Sequence, residues 1–151
     1  MTNPTLCKIK MWKYTKWLVA TSFGFMIPAI YGYINKSYFL SSVLVITSLV
    51  SANHWRFATT GSYRHKADLI VAKIAFTIFM MNGIMHLRYI PYVITGYSGF
   101  GSIIYCYYMS GKLSSANDPN WNKYHIGFHL WLIYCQWIII DSTISRDIMK
   151  N

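Results

Sequence analysis

Long hydrophobic runs separated by short polar segments dominate the pattern along this chain. Five runs, at about residues 17–35, 37–55, 67–87, 89–111 and 121–140, each hold 19 to 23 residues with almost no charge. A helix needs about 20 residues to cross a bilayer core of roughly 30 Å. The pattern therefore predicts an all-α fold, a polytopic transmembrane bundle of five helices in which residues 1–151 form a single transmembrane domain. The runs are too long and too uniformly apolar for barrel strands.

Two local signals refine these predicted helices. Pro28 lies inside the first run and predicts a kink there, because proline lacks the backbone N–H of an interior helical residue. The polar segment 114–122 contains Asp118-Pro119, which is typical of a turn. No small-residue cleavage site closes the first run, so we interpret it as a retained helix and not as a signal peptide.

Composition strengthens the membrane interpretation. Hydrophobic residues make up 54% of the 151 residues and charged residues 12%, whereas a soluble domain carries about 25% charged residues. The net charge is +10, and a strongly positive charge is also typical of nucleic-acid-binding proteins. Here the basic residues flank apolar runs, so we expect a lipid bilayer as the partner and no nucleic acid.

The distribution of Lys and Arg predicts an orientation. The N-terminal segment and the second and fourth loops would together hold nine basic residues: Lys8, Lys10, Lys13, Lys16, Arg56, Arg64, Lys66, Lys112 and Lys123. The opposite side would hold four, namely Lys36, Arg88, Arg146 and Lys150. By the positive-inside rule, the N-terminus is expected in the cytoplasm and the C-terminus outside or in a lumen.

Ionisable side chains within the apolar runs are candidate functional residues, because such groups are costly in a membrane. His54 ends the second predicted helix, Asp68 begins the third, and His125 and His129 begin the fifth. On the predicted topology these four residues share the cytoplasmic end of the bundle. His86 falls at the opposite end.

The spacing of His125 and His129 suits metal binding. Residues four apart lie on one helical face, about 6 Å apart at Cβ. A third histidine, His54, would complete the three protein ligands of a catalytic zinc site, and Asp68 would orient a ligand or act as a general base. The alternative is that these histidines have a structural role and bind no metal. A single histidine pair with this spacing is common by chance, and histidine is a favourable residue at the membrane interface.

These residues resemble the pattern of the CREST superfamily, which includes alkaline ceramidases and adiponectin/progestin-type receptors. The resemblance rests on Ser51-Ala52-Asn53-His54, on Asp68, and on the segment from His125 to Leu130. It implies zinc held by His54, His125 and His129, with Asp68 and Ser51 around the bound water, and hydrolysis of a lipid amide such as ceramide. The family has seven helices where five are predicted here, and its serine stands at the position that Val50 occupies.

Other functions remain open from the sequence. A non-enzymatic scaffold, envelope or assembly protein would use Gly96, Gly99 and Gly101 for close contact with helix-packing partners. A haem protein would use His54 opposite His125 or His129 as axial ligands. Transport is a further alternative, with Asp68 and Lys73 carrying protons or ions.

Overall fold

The computed structural model describes residues 11–148, and these residues form helices and no β-strand. The predicted all-α fold is therefore confirmed for this part of the chain. Lys8, Lys10 and Lys150, which entered the charge count, lie outside the described residues. The helices are α1 (Trp12–Phe23), α2 (Met26–Ile34), α3 (Tyr38–Arg56), α4 (Tyr63–His86), α5 (Ile90–Ser115) and α6 (Trp121–Ile148).

The first two helices form one span, Trp12–Ile34, with an interruption at its middle. Pro28 lies in the first turn of α2, where backbone N–H groups have no intrahelical acceptor to lose. Because Pro28 cannot donate to the carbonyl of Gly24, the N–H of Ile27 donates to it instead, at 3.1 Å. The break therefore lies one turn before the proline, and the described residues hold five helical spans as predicted.

The helices extend further at several ends than the apolar runs do. Helix α4 begins at Tyr63 because the Ser62 side chain accepts a hydrogen bond from the N–H of His65 and so caps the first turn. Helix α6 was predicted to end at Asp141, yet it continues to Ile148. The carboxylate of Asp141 accepts hydrogen bonds from the side chains of Tyr31 and Tyr92, so it does not need to leave the bundle.

Helix α6 is the centre of the bundle. It packs against α1, α2, α4 and α5, while α3 packs against α1, α2 and α4. The main core cluster lies where these helices meet, and its buried members include Phe25, Leu44, Phe79 and Ile140. Helices α4 and α5 are joined by a short connection but make few contacts with each other.

Much of the apolar surface faces outward. Two spans in the described chain are long and apolar enough to cross a membrane, Trp12–Ile34 and Tyr63–His86. Core helices of soluble proteins and signal sequences pass the same test, so these spans indicate membrane association without showing how many helices cross. Only 33% and 22% of their apolar windows are buried within the protein, which is unlike a core helix.

Candidate functional site

A buried hydroxyl cluster links α1, α3 and α4. The Oγ of Ser22 lies 3.1 Å from the Oγ of Ser51 and 2.7 Å from the carbonyl oxygen of Leu18. The hydroxyl of Ser51 lies close to the carboxylate of Asp68. Ser48 also donates to the carbonyl of Ser22, at 2.9 Å. The predicted residues Ser51 and Asp68 are thus neighbours, with Ser22 as a third member of the cluster.

His129 lies beside this cluster. It is 3% exposed and stands about 12 Å along α6 from Trp121, at 1.5 Å per residue, so it does not sit at a helix end. Its Nδ1 is 2.9 Å from the Oγ1 of Thr21, the residue adjacent to Ser22. The ring also contacts Phe25, with centroids 5.5 Å apart. His129 is therefore held inside the bundle, and the interfacial alternative does not describe it.

His125 lies one turn before His129, and their ring centroids are 5.1 Å apart. The Nδ1 of His125 is 3.0 Å from the Oγ of Ser110 on α5. The Nδ1 atom of each histidine therefore lies within hydrogen-bond distance of a side-chain hydroxyl. Such a partner orients the ring and directs Nε2 toward a ligand, as in many metal sites.

His54 and His125 both contact the indole ring of Trp55. The ring of Trp55 lies 4.6 Å from that of His54 and 4.7 Å from that of His125. On its other side, His54 contacts His65, with centroids 5.1 Å apart. His65 lies in the first turn of α4, against the predicted ligand His54.

The five predicted site residues therefore lie in the half of the bundle that contains the start of α6, and we call this half the histidine end. It is defined by Ser51, His54, Asp68, His125 and His129. Ser51 lies close to Asp68, and the neighbouring residues Thr21 and Ser22 connect this pair with His129. The indole of Trp55 contacts the rings of both His54 and His125.

The fit to a metal is partial. His125 and His129 suit zinc as a pair by ring proximity and by their hydroxyl partners. Within residues 11–148, however, no group of three His, Cys, Asp or Glu side chains is arranged to hold a metal ion. The third predicted ligand, His54, therefore forms no such group with the pair, and the indole of Trp55 contacts both His54 and His125.

Sequence reasoning missed the hydroxyl partners Thr21, Ser22 and Ser110. Serine and threonine are tolerated in apolar helices because they can bond a carbonyl three or four residues earlier, as Thr21 does with Leu18 at 3.2 Å. Nothing in the spacing of these residues marks them as partners of a particular histidine.

The opposite end of the bundle carries a second polar group. The hydroxyl of Tyr31 donates to Asp141 at 2.5 Å, and that of Tyr92 donates at 2.9 Å. Nearby on the chain, a guanidinium nitrogen of Arg146 lies 2.8 Å from the Nδ1 of His86. His86 therefore lies far from the histidine end, as predicted.

Comparison with protein-family models, with curated proteins and with solved structures finds no match to this chain. The resemblance to the CREST superfamily consequently rests on the residues quoted for it.

Proposed function

We propose that the protein is a multi-pass membrane protein whose five helical spans all cross the bilayer. Large apolar side chains are exposed on every helix, including Trp17, Ile46, Ile70, Ile104 and Leu130. A water-soluble monomer rarely exposes contiguous apolar surface on this scale. Lipid contact would explain it without any partner protein.

The charge distribution supports the predicted orientation. Seven described basic residues lie at the histidine end or in its loops and are exposed: Lys13, Lys16, Arg56, Arg64, Lys66, Lys112 and Lys123. The other end has three, Lys36, Arg88 and Arg146. The histidine end therefore faces the cytoplasm in this proposal, with the C-terminus outside or in a lumen.

We infer further that the histidine end is a hydrolytic site for a lipid amide of the ceramide kind. The observation that carries this inference is the proximity of Ser51 to Asp68, beside a histidine pair whose members each lie within hydrogen-bond distance of a hydroxyl. An ionisable group enclosed within apolar helices is functional by default, because an inert apolar residue there would be more stable.

The residues have distinct roles in this proposal. His125 and His129 would hold a zinc ion, which would supply a water of lowered pKa as nucleophile. His54 lies against Trp55 in this arrangement, so it would have to move toward the pair to become the third ligand. The carboxylate of Asp68 would accept the proton of the attacking water. Ser51 orients that carboxylate by its hydrogen bond. Trp55 keeps bulk water from the site.

Zinc content tests the metal proposal directly. Protein purified in detergent is expected to contain about one zinc per chain, measured by plasma mass spectrometry. His129→Gln removes a ligand and should lower zinc content at least tenfold. His86→Gln is the matched control, since His86 is also a buried histidine but lies at the other end.

Two results would contradict this proposal. One is a wild-type protein without stoichiometric zinc after reconstitution with the metal. The other is equal zinc content in His129→Gln and His86→Gln.

Activity tests the hydrolytic role. Release of a fluorescent fatty acid from labelled ceramide in mixed micelles is the measurement. Asp68→Asn keeps the shape of the side chain but not its basicity, so we expect activity to fall by a factor of about 100 or more, with zinc retained. Asp118→Asn changes a half-buried loop carboxylate that accepts hydrogen bonds from Asn120, outside the proposed site, and activity should not change.

If Asp68→Asn and the control hydrolyse ceramide equally, Asp68 is not the base. If neither variant nor the wild type cleaves any lipid amide or ester while zinc is bound, the metal is structural.

A non-enzymatic scaffold is the second candidate. The observation that favours it is the aromatic contact series His65, His54, Trp55 and His125, in which histidine rings pack as aromatic side chains. In that case His54→Phe and His125→Phe should retain the folded protein and its assembly. Loss of zinc together with an intact fold in those variants would favour the enzyme.

A further inference from the structure

Two arginines from different helices contact the same phenylalanine ring. Arg56 is the last residue of α3, and Arg64 lies in the first turn of α4. Their guanidinium carbons lie 4.8 and 5.0 Å from the centroid of the Phe57 ring. A guanidinium is attracted to the face of an aromatic ring. The ring therefore holds two positive charges close together, and we call Arg56, Phe57 and Arg64 the two-arginine site.

Buried contacts fix the backbone on both sides of this site. Trp55 and Ala58, which flank the first arginine and the ring, are 5% and 3% exposed. At the start of α4, the Ser62 side chain accepts a hydrogen bond from the N–H of His65 and caps the turn that carries Arg64. A ligand that binds here has little backbone to order, which lowers the entropic cost of binding.

The carboxylates in the same half of the bundle have other neighbours. Within residues 11–148, these carboxylates are Asp68 and Asp118. Asp68 lies close to Ser51, and Asp118 accepts hydrogen bonds from Asn120. Both arginines and the ring between them are exposed. The two-arginine site thus presents two positive charges at the surface, and its complementary partner is an anion.

The geometry of the guanidinium group favours a phosphate among anions. Its planar fork donates two parallel hydrogen bonds to two oxygens of one phosphate. A phosphate monoester has three oxygens outside the ester bond and carries about −1.5 to −2 charges at pH 7. It therefore matches two guanidiniums better than a phosphate diester or a carboxylate, each of which carries a single charge.

Exposed aromatic side chains favour a lipid as the source of this phosphate. Phe57 is 52% exposed, and Tyr63, which precedes Arg64, is 85% exposed. Aromatic residues beside basic residues are typical of the depth of lipid headgroups. On the proposed orientation, the connection between α3 and α4 faces the cytoplasmic leaflet, which is anionic. A phosphate attached to glycerol and acyl chains can contact the arginines and these rings together.

We propose that Arg56 and Arg64, in contact with the Phe57 ring, bind the headgroup of a membrane lipid that ends in a phosphate monoester. Both guanidiniums donate hydrogen bonds to the phosphate oxygens, while the acyl chains stay in the bilayer beside the helices. The inference rests on the proposed crossing of the bilayer and is independent of zinc and of hydrolysis.

Native mass spectrometry of the whole protein in an uncharged detergent tests this site. The protein is titrated with dioleoyl phosphatidic acid, and separately with dioleoyl phosphatidylserine and phosphatidylcholine as comparison lipids. Phosphatidic acid is expected to bind about fivefold or more tightly than phosphatidylserine, because it alone offers a dianionic monoester. Equal affinity for phosphatidic acid and phosphatidylserine would overturn the proposal.

Paired charge removals separate the site from general attraction. The double variant Arg56→Gln/Arg64→Gln should bind phosphatidic acid about tenfold less tightly, since two charge-assisted contacts are lost. Lys112→Gln/Lys123→Gln is the matched control, because it removes the same charge from exposed residues in the same half of the bundle. An equal loss of affinity in both double variants would show that only net charge matters and would overturn the site.

A substitution of the ring tests its role in positioning the arginines. Phe57→Leu keeps an exposed apolar side chain but removes the aromatic face. The affinity for phosphatidic acid should fall about twofold to fivefold, with the preference over phosphatidylcholine retained. Unchanged affinity would contradict a positioning role for Phe57. If a variant fails to fold, the lipid comparison on the wild type still decides whether a monoester is recognised.

A last arm distinguishes a lipid from a soluble phosphate compound. Glycerol 3-phosphate carries the same monoester without acyl chains and is added in large excess to the complex with phosphatidic acid. Retention of the lipid is expected. Displacement would assign the site to a soluble phosphate and overturn the proposal. Since binding is measured in detergent, its failure leaves the bilayer crossing to be judged separately by cysteine labelling at positions 88 and 116.

Discussion

Single hydroxyl groups decide how the ionisable side chains of this protein are held. The hydroxyls of Thr21 and Ser110 lie within hydrogen-bond distance of the Nδ1 atoms of His129 and His125, respectively. The hydroxyl of Ser51 lies close to the carboxylate of Asp68. Each hydroxyl is small enough to lie between packed helices and can both donate and accept. The histidines and the carboxylate thereby acquire one orientation each, which a mechanism at this end would require.

At the other end, the tyrosine hydroxyls stabilise Asp141 within α6. Tyr31→Phe removes the 2.5 Å hydrogen bond but keeps the ring that stacks on Trp137 at 5.2 Å. Hydrogen bonds to charged groups contribute about 1.5–3 kcal/mol. We expect the free energy of unfolding to fall by about that amount, measured by reversible denaturation in mixed micelles.

Tyr33→Phe is the control for this prediction, because Tyr33 is 65% exposed. It removes a hydroxyl from the same helix and should leave the free energy of unfolding within about 0.5 kcal/mol. Equal destabilisation by the two variants would show that the bond to Asp141 is not a stabilising interaction.

At the scale of the elements, the five helical spans were predictable because an uncharged run of about 20 residues has few alternatives in a membrane. The apolar pattern predicted the ends of the helices less accurately than their positions. Helix α4 begins one turn earlier than predicted because Ser62 caps it. Helix α6 continues beyond Asp141 because tyrosine hydroxyls from α2 and α5 donate hydrogen bonds to the Asp141 carboxylate. Both extensions depend on hydrogen bonds that a hydropathy pattern does not contain.

Glycines on α5 have opposite roles in helix packing. A Cβ added at Gly99 would lie 2.5 Å from the Sγ of Cys135 and 3.5 Å from the ring of Trp131, whereas one added at Gly101 meets nothing. Gly99→Ala should therefore separate α5 from α6 and destabilise the protein by about 1–3 kcal/mol. Gly101→Ala should stabilise it slightly, by up to about 1 kcal/mol, through helix propensity.

The measurement is the thermal midpoint of both variants in the same detergent. A fall for Gly99→Ala with a constant or raised midpoint for Gly101→Ala is the expected result. Equal midpoints would mean that the α5–α6 contact can widen without loss of stability, and that Gly99 has no packing role.

At the scale of the whole molecule, an odd number of crossing spans places the two termini on opposite sides. The connections near Arg88 and Ala116 would likewise lie on opposite sides, since they flank α5. In a background without native cysteines, Arg88→Cys should react with an impermeant maleimide from outside the cell. Ala116→Cys should react only after permeabilisation.

Reaction of both cysteines from the same side would contradict the proposed crossing by α5. A reversed pattern would keep the five spans but invert the orientation. Both positions are in or beside short connections and both are exposed, so their accessibility reports the side of the membrane and not burial in the protein.

The sequence predicted which residues belong to the candidate site better than it predicted how they are arranged. Ser51, Asp68 and His129 belong to neighbouring hydrogen-bonded contacts, because helix order and direction bring them to one end. The position of Trp55 between His54 and His125 was not predictable. It depends on the rotation of α3 and α6 about their axes, which side-chain packing sets.

Sequence alone determined the number and approximate position of the helical spans, because a long uncharged run satisfies its backbone hydrogen bonds locally as a helix. It also determined which end of each helix carries histidine or carboxylate. Only the tertiary structure decided which side chains meet: the hydroxyl partners and the indole of Trp55 beside two histidines. These contacts depend on interhelical rotation and separation, and those follow from the packing of all the helices together.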